Sequence, residues 1–370
     1  MEIQVAASSS AFVFSRLLRL LREKKDAALV TILETSGSTP QIAGAKAVIS
    51  PDGLEAGTVG GGSFEAAMIE RARNQLISRE AELIFWSFAA EEGEGGSICG
   101  GQALVLIDGY PGKNQSLLEK LIGCLERRKR GLLITAMRRK AGEKIRLNRF
   151  FQEEGQSLDE LARVKNQFPA LLFSLQLDEI TRLWQKERPK LIKGMAPDEE
   201  EVFLFLEPVL PPPRLLIFGA GHVGQAVAQL GLFLGFEVYL FDDRADLKLS
   251  FPIKDKINFI VGDMAQGLEK FQADDSCYSV IVTRGHRHDA GVLRVALKKR
   301  LGYIGMIGSR RKVALMKEDF LRHGWATEED WSRIHSPIGL DIGAQTVEEI
   351  ALSILAEIVS IRRRQGEKYQ

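Results

Sequence analysis

The chain has 370 residues, enough for two or three domains with cores of their own. Fifty basic residues against 49 acidic ones leave a formal charge of +1, which removes any overall electrostatic case for nucleic-acid or membrane-surface partners. Three cysteines, Cys99, Cys124 and Cys277, form neither a CxxC nor a paired spacing, arguing against a disulfide scaffold or structural zinc and for a reducing, cytoplasmic setting. Arg16, Arg19 and Arg22 interrupt the first leucines, and no stretch approaches the roughly 18 apolar residues of a spanning helix.

In chain order, Phe14, Leu17, Leu18 and Leu21 at helical spacing predict an amphipathic helix over 11–25, followed by a buried strand, Ala27–Leu33. A turn-rich segment, Ser36-Gly37-Ser38-Thr39-Pro40, precedes a strand at Ala47–Ser50. The cluster Gly57-Thr58-Val59-Gly60-Gly61-Gly62-Ser63 then leads into a helix with Phe64, Ala67, Met68 and Ala72 on its apolar side. Three consecutive glycines suit a loop whose N–H groups face an anion, with Ser63 expected as the helix N-cap; a purely structural turn is the other reading. Glu65 is a candidate acid or base, or a complement to the helix N-terminus. Cys99, followed by Gly100-Gly101 and the strand Ala103–Ile107, is the cysteine most exposed to a ligand or sulfur donor; Cys124 lies on a helical apolar stripe and reads as core. Between 112 and 207 charge becomes denser, predicting an α/β extension with solvated faces. Residues 208–213, ending in Pro211-Pro212-Pro213, read as a stiff linker between a domain over 1–207 and a second over 214–370.

The second domain opens with the apolar run Arg214–Phe218, the turn Gly219-Ala220-Gly221-His222-Val223-Gly224, a helix to about Phe236, and a second apolar run ending at Asp242-Asp243. Gly219 would permit the tight turn, Gly221 the close approach of a pyrophosphate, and Gly224 the contact of helix with strand. Asp242, about 20 residues further on, stands where a carboxylate accepts from a ribose 2′-hydroxyl. This unit predicts a Rossmann-like, doubly wound parallel sheet. After Asp243 only a short irregular segment with Phe251-Pro252 precedes the strand Ile257–Val261, so the crossover helix is expected to be reduced. The strands Tyr278–Val282 and Tyr303–Ile307 end in Thr283-Arg284-Gly285-His286 and Gly308-Ser309-Arg310-Arg311-Lys312, the strand ends where ligands bind in such sheets. His286 is a candidate proton carrier or ligand contact, and Arg310 a candidate phosphate partner. No metal-ligand spacing occurs. A loop, Ser336–Ala344, then precedes a helix that a Thr346/Glu349 capping box starts.

Gly37–Pro40, the cluster 57–62 with Glu65, Cys99-Gly100-Gly101, Pro211–Gly224, Tyr303–Arg310 and Ser336–Ile342 with the helix Glu348–Glu357 together resemble the XdhC/CoxI family, leaving only about 112–207 uncovered. Ser63 resembles the XdhC branch, since the CoxI branch tends to carry cysteine there; Gln41 stands where an arginine is common. The resemblance implies a small N-terminal α/β domain joined to a Rossmann domain. It implies an accessory factor that binds molybdenum cofactor, promotes its sulfuration with a cysteine desulfurase, and hands it to a xanthine dehydrogenase-type molybdenum hydroxylase. Dimerisation fits the family but has no signature of its own in the sequence. Candidate cofactor-binding residues are Gly37, Ser38, Thr39, Gly60, Gly61, Gly62 and Ser63 in the first domain, and Gly219, Gly221, His222, Val223, Gly224, Asp242, Asp243, His286, Gly308, Ser309 and Arg310 in the second. Cys99 and Glu65 are the candidates for chemistry. Two other readings stay open: an oxidoreductase using NAD(P), which the glycine turn and Asp242 favour although no Tyr-x-x-x-Lys pair follows, and a non-catalytic nucleotide-binding regulator.

Overall fold

A computed structural model describes residues 9–88, 100–156, 163–164, 188–196, 199–247 and 254–365. The chain divides between Pro211 and Pro212 into two units, each with its own core. No helix of the described residues is long and apolar enough to cross a membrane.

In the first unit, strands β1 (Ala28–Ser36), β2 (Lys46–Ser50), β3 (Gly53–Gly57), β4 (Ala81–Ser87) and β5 (Gln102–Asp108) form an antiparallel sheet of order β3-β2-β1-β5-β4. The central strand is covered on both faces, which is why its sequence is continuously apolar instead of alternating. Ala28, Val30 and Ile32 face the helix Gly62–Ser78, which buries Phe64, Met68, Ala72 and Leu76 at four-residue spacing. Leu29 faces the helices Ser10–Arg22 and Gln115–Glu126. A second sheet, β7-β6-β9-β8, is built from β6 (Gly131–Arg139), β7 (Arg146–Glu153), β8 (Lys190–Met195) and β9 (Glu201–Val209). Its Met137, Phe203 and Phe205 pack on Leu33, Leu104 and Leu106. The described part of the 112–207 extension is α/β, the helix Gln115–Glu126 followed by an antiparallel sheet that packs one face into the core and leaves residues such as Arg146 and Lys190 exposed; much of 157–187 lies outside the described residues.

The strand β9 runs through Pro208 to Val209, paired with Leu132 and Gly131 of β6, so the connector is shorter than the linker the prolines predicted. Proline is tolerated there because the pairing of β8 with β9 ends at Leu206, leaving no ladder partner that needs a Pro208 N–H. Glu207, one residue earlier, is buried and ion-paired with the buried Lys46.

The second unit is a parallel six-stranded sheet of β10 (Arg214–Phe218), β11 (Glu237–Asp242), β12 (Asn258–Val261), β13 (Cys277–Ile281), β14 (Tyr303–Met306) and β15 (Ile334–His335), in the order β12-β11-β10-β13-β14-β15. The strand order reverses between β10 and β13, which marks the switch point of a Rossmann sheet. The helices His222–Phe233 and Val347–Gln365 cover one face; Met264–Lys270, His286–Ala296 and Arg310–Arg322 cover the other. The described part of the β11–β12 connection holds only a 3-10 turn, Lys254–Lys256, in keeping with a reduced crossover; Phe251 and Pro252 lie outside the described residues.

Candidate functional site

At the carboxyl end of β10 the three glycines have three different surroundings. Gly219 has φ +108°, and a Cβ there would stand 2.5 Å from the Val282 carbonyl oxygen, so the turn excludes any side chain. A Cβ on Gly224 would stand 1.8 Å from the Gly219 oxygen, so the helix rests directly on the turn. A Cβ on Gly221 would meet nothing within 4 Å. Gly221 is also the N-cap of the helix His222–Phe233 and provides no side-chain cap for the helix's first N–H groups; His222 beside it is exposed and Val223 half-buried. An anion seated there would complete that turn.

Asp242, at the end of β11, is 2% exposed and fully engaged. Its Oδ2 accepts from the Ala220 N–H at 2.7 Å and Arg244 Nη2 at 3.0 Å; its Oδ1 accepts from the Arg244 N–H at 3.1 Å and Nε at 2.7 Å. Burial opposes charge on Asp242, but the hydrogen bonds from Arg244 and Ala220 outweigh it and hold the carboxyl far below the usual carboxylate range. The acid expected to meet a ribose also braces the glycine turn. Asp243 is exposed and ion-paired with Arg284 at 2.8 Å, linking the ends of β11 and β13.

At the ends of β13 and β14 a fully buried carboxylate organises the loops. Asp289 accepts from Thr283 Oγ1 at 2.6 Å and from Lys312 Nζ at 2.5 Å. Lys312 is thereby tied to the protein, whereas Arg310 and Arg311 stand exposed. Ser309 caps the helix Arg310–Arg322 by accepting from the Lys312 N–H, with Gly308 behind it. A hollow of ≈ 380 Å³ lies here, lined by His286, Ser309, Arg311, Lys312 and Leu315. The loop after β15 is fixed by Glu357, which accepts from Tyr303 Oη and the Gly339 N–H and lies 3.1 Å from His335 Nδ1.

In the first unit three motif segments converge. A Cβ on Gly37 would stand 3.0 Å from the Gly101 Cα, and one on Gly101 2.2 Å from the Ser38 oxygen, so the Gly37-Ser38-Thr39 turn packs backbone to backbone on the segment after Cys99. Thr39 closes that turn with a hydrogen bond to the Gln41 carbonyl. Pro40 in turn lies against Gly60, where a Cβ would be 2.7 Å from its ring. Cys99 itself lies outside the described residues. Glu65 holds the glycine loop from behind: its Oε1 accepts from Thr58 Oγ1 at 2.6 Å and from the Val59 N–H at 2.9 Å. The helix starts at Gly62 with Gly61 as N-cap, so Ser63 is exposed inside the first turn and is not the cap. Gly61 and Gly62 both have the left-handed backbone that glycine alone adopts freely, and nothing lies within 4 Å of a Cβ built on either. Among the described residues no group of three or more His, Cys, Asp and Glu side chains is placed to hold a metal ion.

Arg244, Asp289 and Glu357 were not singled out from the sequence. Arg244 had a signal, since it stands two residues after the acid of the Rossmann unit. Asp289 ends the polar cluster that begins at Thr283, six residues before it, but its pairing with Lys312, 23 residues on, had no signal, and neither had that of Glu357 with Tyr303, 54 residues away.

The fold and these strand-end loops define a two-domain protein with a Rossmann domain and an antiparallel glycine-loop domain. The model of the XdhC Rossmann domain matches residues 215–358, and that of the XdhC and CoxI family matches residues 20–86. The chain belongs to the XdhC and CoxI family. It is 26% identical over 350 residues to a probable xanthine dehydrogenase subunit of Bacillus subtilis (strain 168), covering 93% of this chain and 96% of that one. It is 27% identical over 157 residues to the molybdenum cofactor insertion chaperone PaoD of Escherichia coli (strain K12), covering 42% of each. The crystal structure of a xanthine dehydrogenase from Bacillus halodurans shares the fold, with a TM-score of 0.72 and 21% identity over 95% of this chain and 96% of that one.

Proposed function

We propose that the protein is an accessory factor that binds molybdenum cofactor and delivers it to a xanthine dehydrogenase-type hydroxylase. The observation that carries this reading is the convergence of Gly37–Pro40, Gly60–Gly62 and Gly100-Gly101, with Gly61 and Gly62 opening onto space that no side chain fills. Unhindered N–H groups at the start of a 17-residue helix suit the phosphate of a pterin cofactor, and Glu65 keeps that loop in place without occupying it. The similarity to a cofactor insertion chaperone and to a probable component of a xanthine dehydrogenase supports the same role. Sulfuration with a cysteine desulfurase is the second half of the proposal, with Cys99 as the residue that relays sulfur.

The test is the ligand content of protein purified from a host that makes molybdenum cofactor, by molybdenum assay and fluorescence of the oxidised pterin. Near-stoichiometric pterin is expected in the wild type. Gly62→Asp places a carboxylate where the phosphate would sit, in a left-handed conformation that Asp tolerates. It should lose most of the pterin, while the neutral Gly62→Asn retains it. A wild type free of pterin but carrying NAD(P) would sink the carrier and revive an oxidoreductase. Hydroxylase activation undiminished by Cys99→Ala would remove the sulfur relay.

A further inference from the structure

We propose that the Rossmann domain takes a dinucleotide carrying a phosphate monoester on its adenosine ribose, NADP(H) in preference to NAD(H), and that Arg244 makes the choice. The inference rests on the second unit alone and is independent of the pterin loops.

A dinucleotide whose pyrophosphate sits on the N-terminus of the helix His222–Phe233 lays its adenosine ribose over the end of β11. Preference for an unphosphorylated ribose needs an acid there with lone pairs to offer. A carboxylate has about four acceptor sites, and the four hydrogen bonds from Ala220 and Arg244 fill those of Asp242. At 2% exposure it offers no surface to a ribose, and its charge is matched by the guanidinium. The group that this strand end presents is Arg244, its side chain 28% exposed. Two of its five N–H donors point at Asp242, which fixes the plane of the guanidinium and leaves the remaining donors for an incoming anion. Among the described residues Asp243 and Asp246 also act on Arg244, and Asp243 is paired with Arg284. The ordinary rule for this fold is that an acid selects the free ribose and a nearby arginine the 2′-phosphate. Here the arginine has taken the acid as its own support.

The experiment titrates full-length protein, freed of small molecules, with NADPH and NADH by nicotinamide fluorescence, and competes each with adenosine 2′,5′-bisphosphate or ADP. NADPH should bind about tenfold or more tightly than NADH, the scale of one charge-assisted contact, and only the bisphosphate should compete at comparable concentration. Arg244→Ala should weaken NADPH and leave NADH nearly unchanged. Because that variant strips a buried carboxylate of its partner, Arg244→Gln, which keeps donors without the charge, is measured beside it; it should lose the preference while keeping the fold by circular dichroism. Equal affinities, tighter NADH, binding of neither nucleotide, or a preference that survives Arg244→Gln would each overturn the proposal. Pterin content, measured on the same preparations before small molecules are removed, reports on the carrier function separately.

Discussion

Gly219 and Gly221 lie two residues apart, and the same added methyl group is expected to act in opposite ways. At Gly219 it would meet the Val282 carbonyl in a backbone conformation foreign to alanine, so Gly219→Ala should cost about 3 kcal/mol or more by denaturant unfolding. At Gly221 it meets only open space, so Gly221→Ala should cost no more than about 1 kcal/mol as a change of N-cap. It should nonetheless weaken nucleotide binding, because the methyl occupies the phosphate's place. Glu65 offers a similar contrast. Glu65→Ala leaves the Val59 N–H and Thr58 hydroxyl unanswered and should destabilise the first unit by about 1–3 kcal/mol. Glu65→Gln keeps an acceptor and should be milder. If Glu65→Gln were as stable as the wild type yet unable to support hydroxylase activation, Glu65 would have a chemical role beyond bracing.

At the scale of elements, the loop after β15 is joined to the helix Val347–Gln365 through one carboxylate. Burial disfavours charge on Glu357, but hydrogen bonds from His335, Tyr303 and the Gly339 N–H outweigh it and hold its carboxyl below the ordinary value of 4.5. The folded state therefore prefers the carboxylate more strongly than the unfolded chain does. This contribution is fully present at neutral pH and fades as pH falls below about 4.5, through the folded-state pKa. Glu357→Gln should lower the melting temperature clearly at pH 7, and by less in acid, where the wild type has lost the same charge. Equal losses at both pH values would show that Glu357 contributes through packing. The elements of the Rossmann unit were legible because each signal is local: apolar runs, a glycine turn, and an acid at a fixed distance. The helix Gly62–Ser78 was legible from Phe64, Met68 and Ala72, but its start was not, since Ser63 has the chemistry of a cap and only the backbone of Gly61 and Gly62 shows that the helix begins earlier. What escaped entirely were couplings across strand ends, such as Asp289 with Lys312, and the sheet made from β6 to β9, whose pairing depends on residues far apart in the chain.

At the scale of the whole molecule, each unit closes a core of its own around a separate glycine loop. Changes in one unit should therefore leave the other's ligand untouched: Gly62→Asp should lower pterin content with the NADPH titration unaltered, and Arg244→Gln should do the reverse. The buried pair of Lys46 and Glu207 ties β2 to the end of β9, within the first unit and just before the connector. Removing one partner strands a buried charge, so Glu207→Ala should cost about 3–5 kcal/mol in the unfolding of that unit.

The brace between Asp242 and the Ala220 N–H also gives the site an internal clock. Loop amides normally exchange their protons with solvent quickly, yet this one is held at 2.7 Å by a carboxylate sealed beneath Arg244. Its deuterium uptake should follow the slow openings of β10 and β11 and not the fast motion of a surface turn. A dinucleotide should slow uptake at the neighbouring amides of His222 and Val223 while scarcely changing that of Ala220, separating occupation of the cleft from rigidity that exists before any ligand arrives.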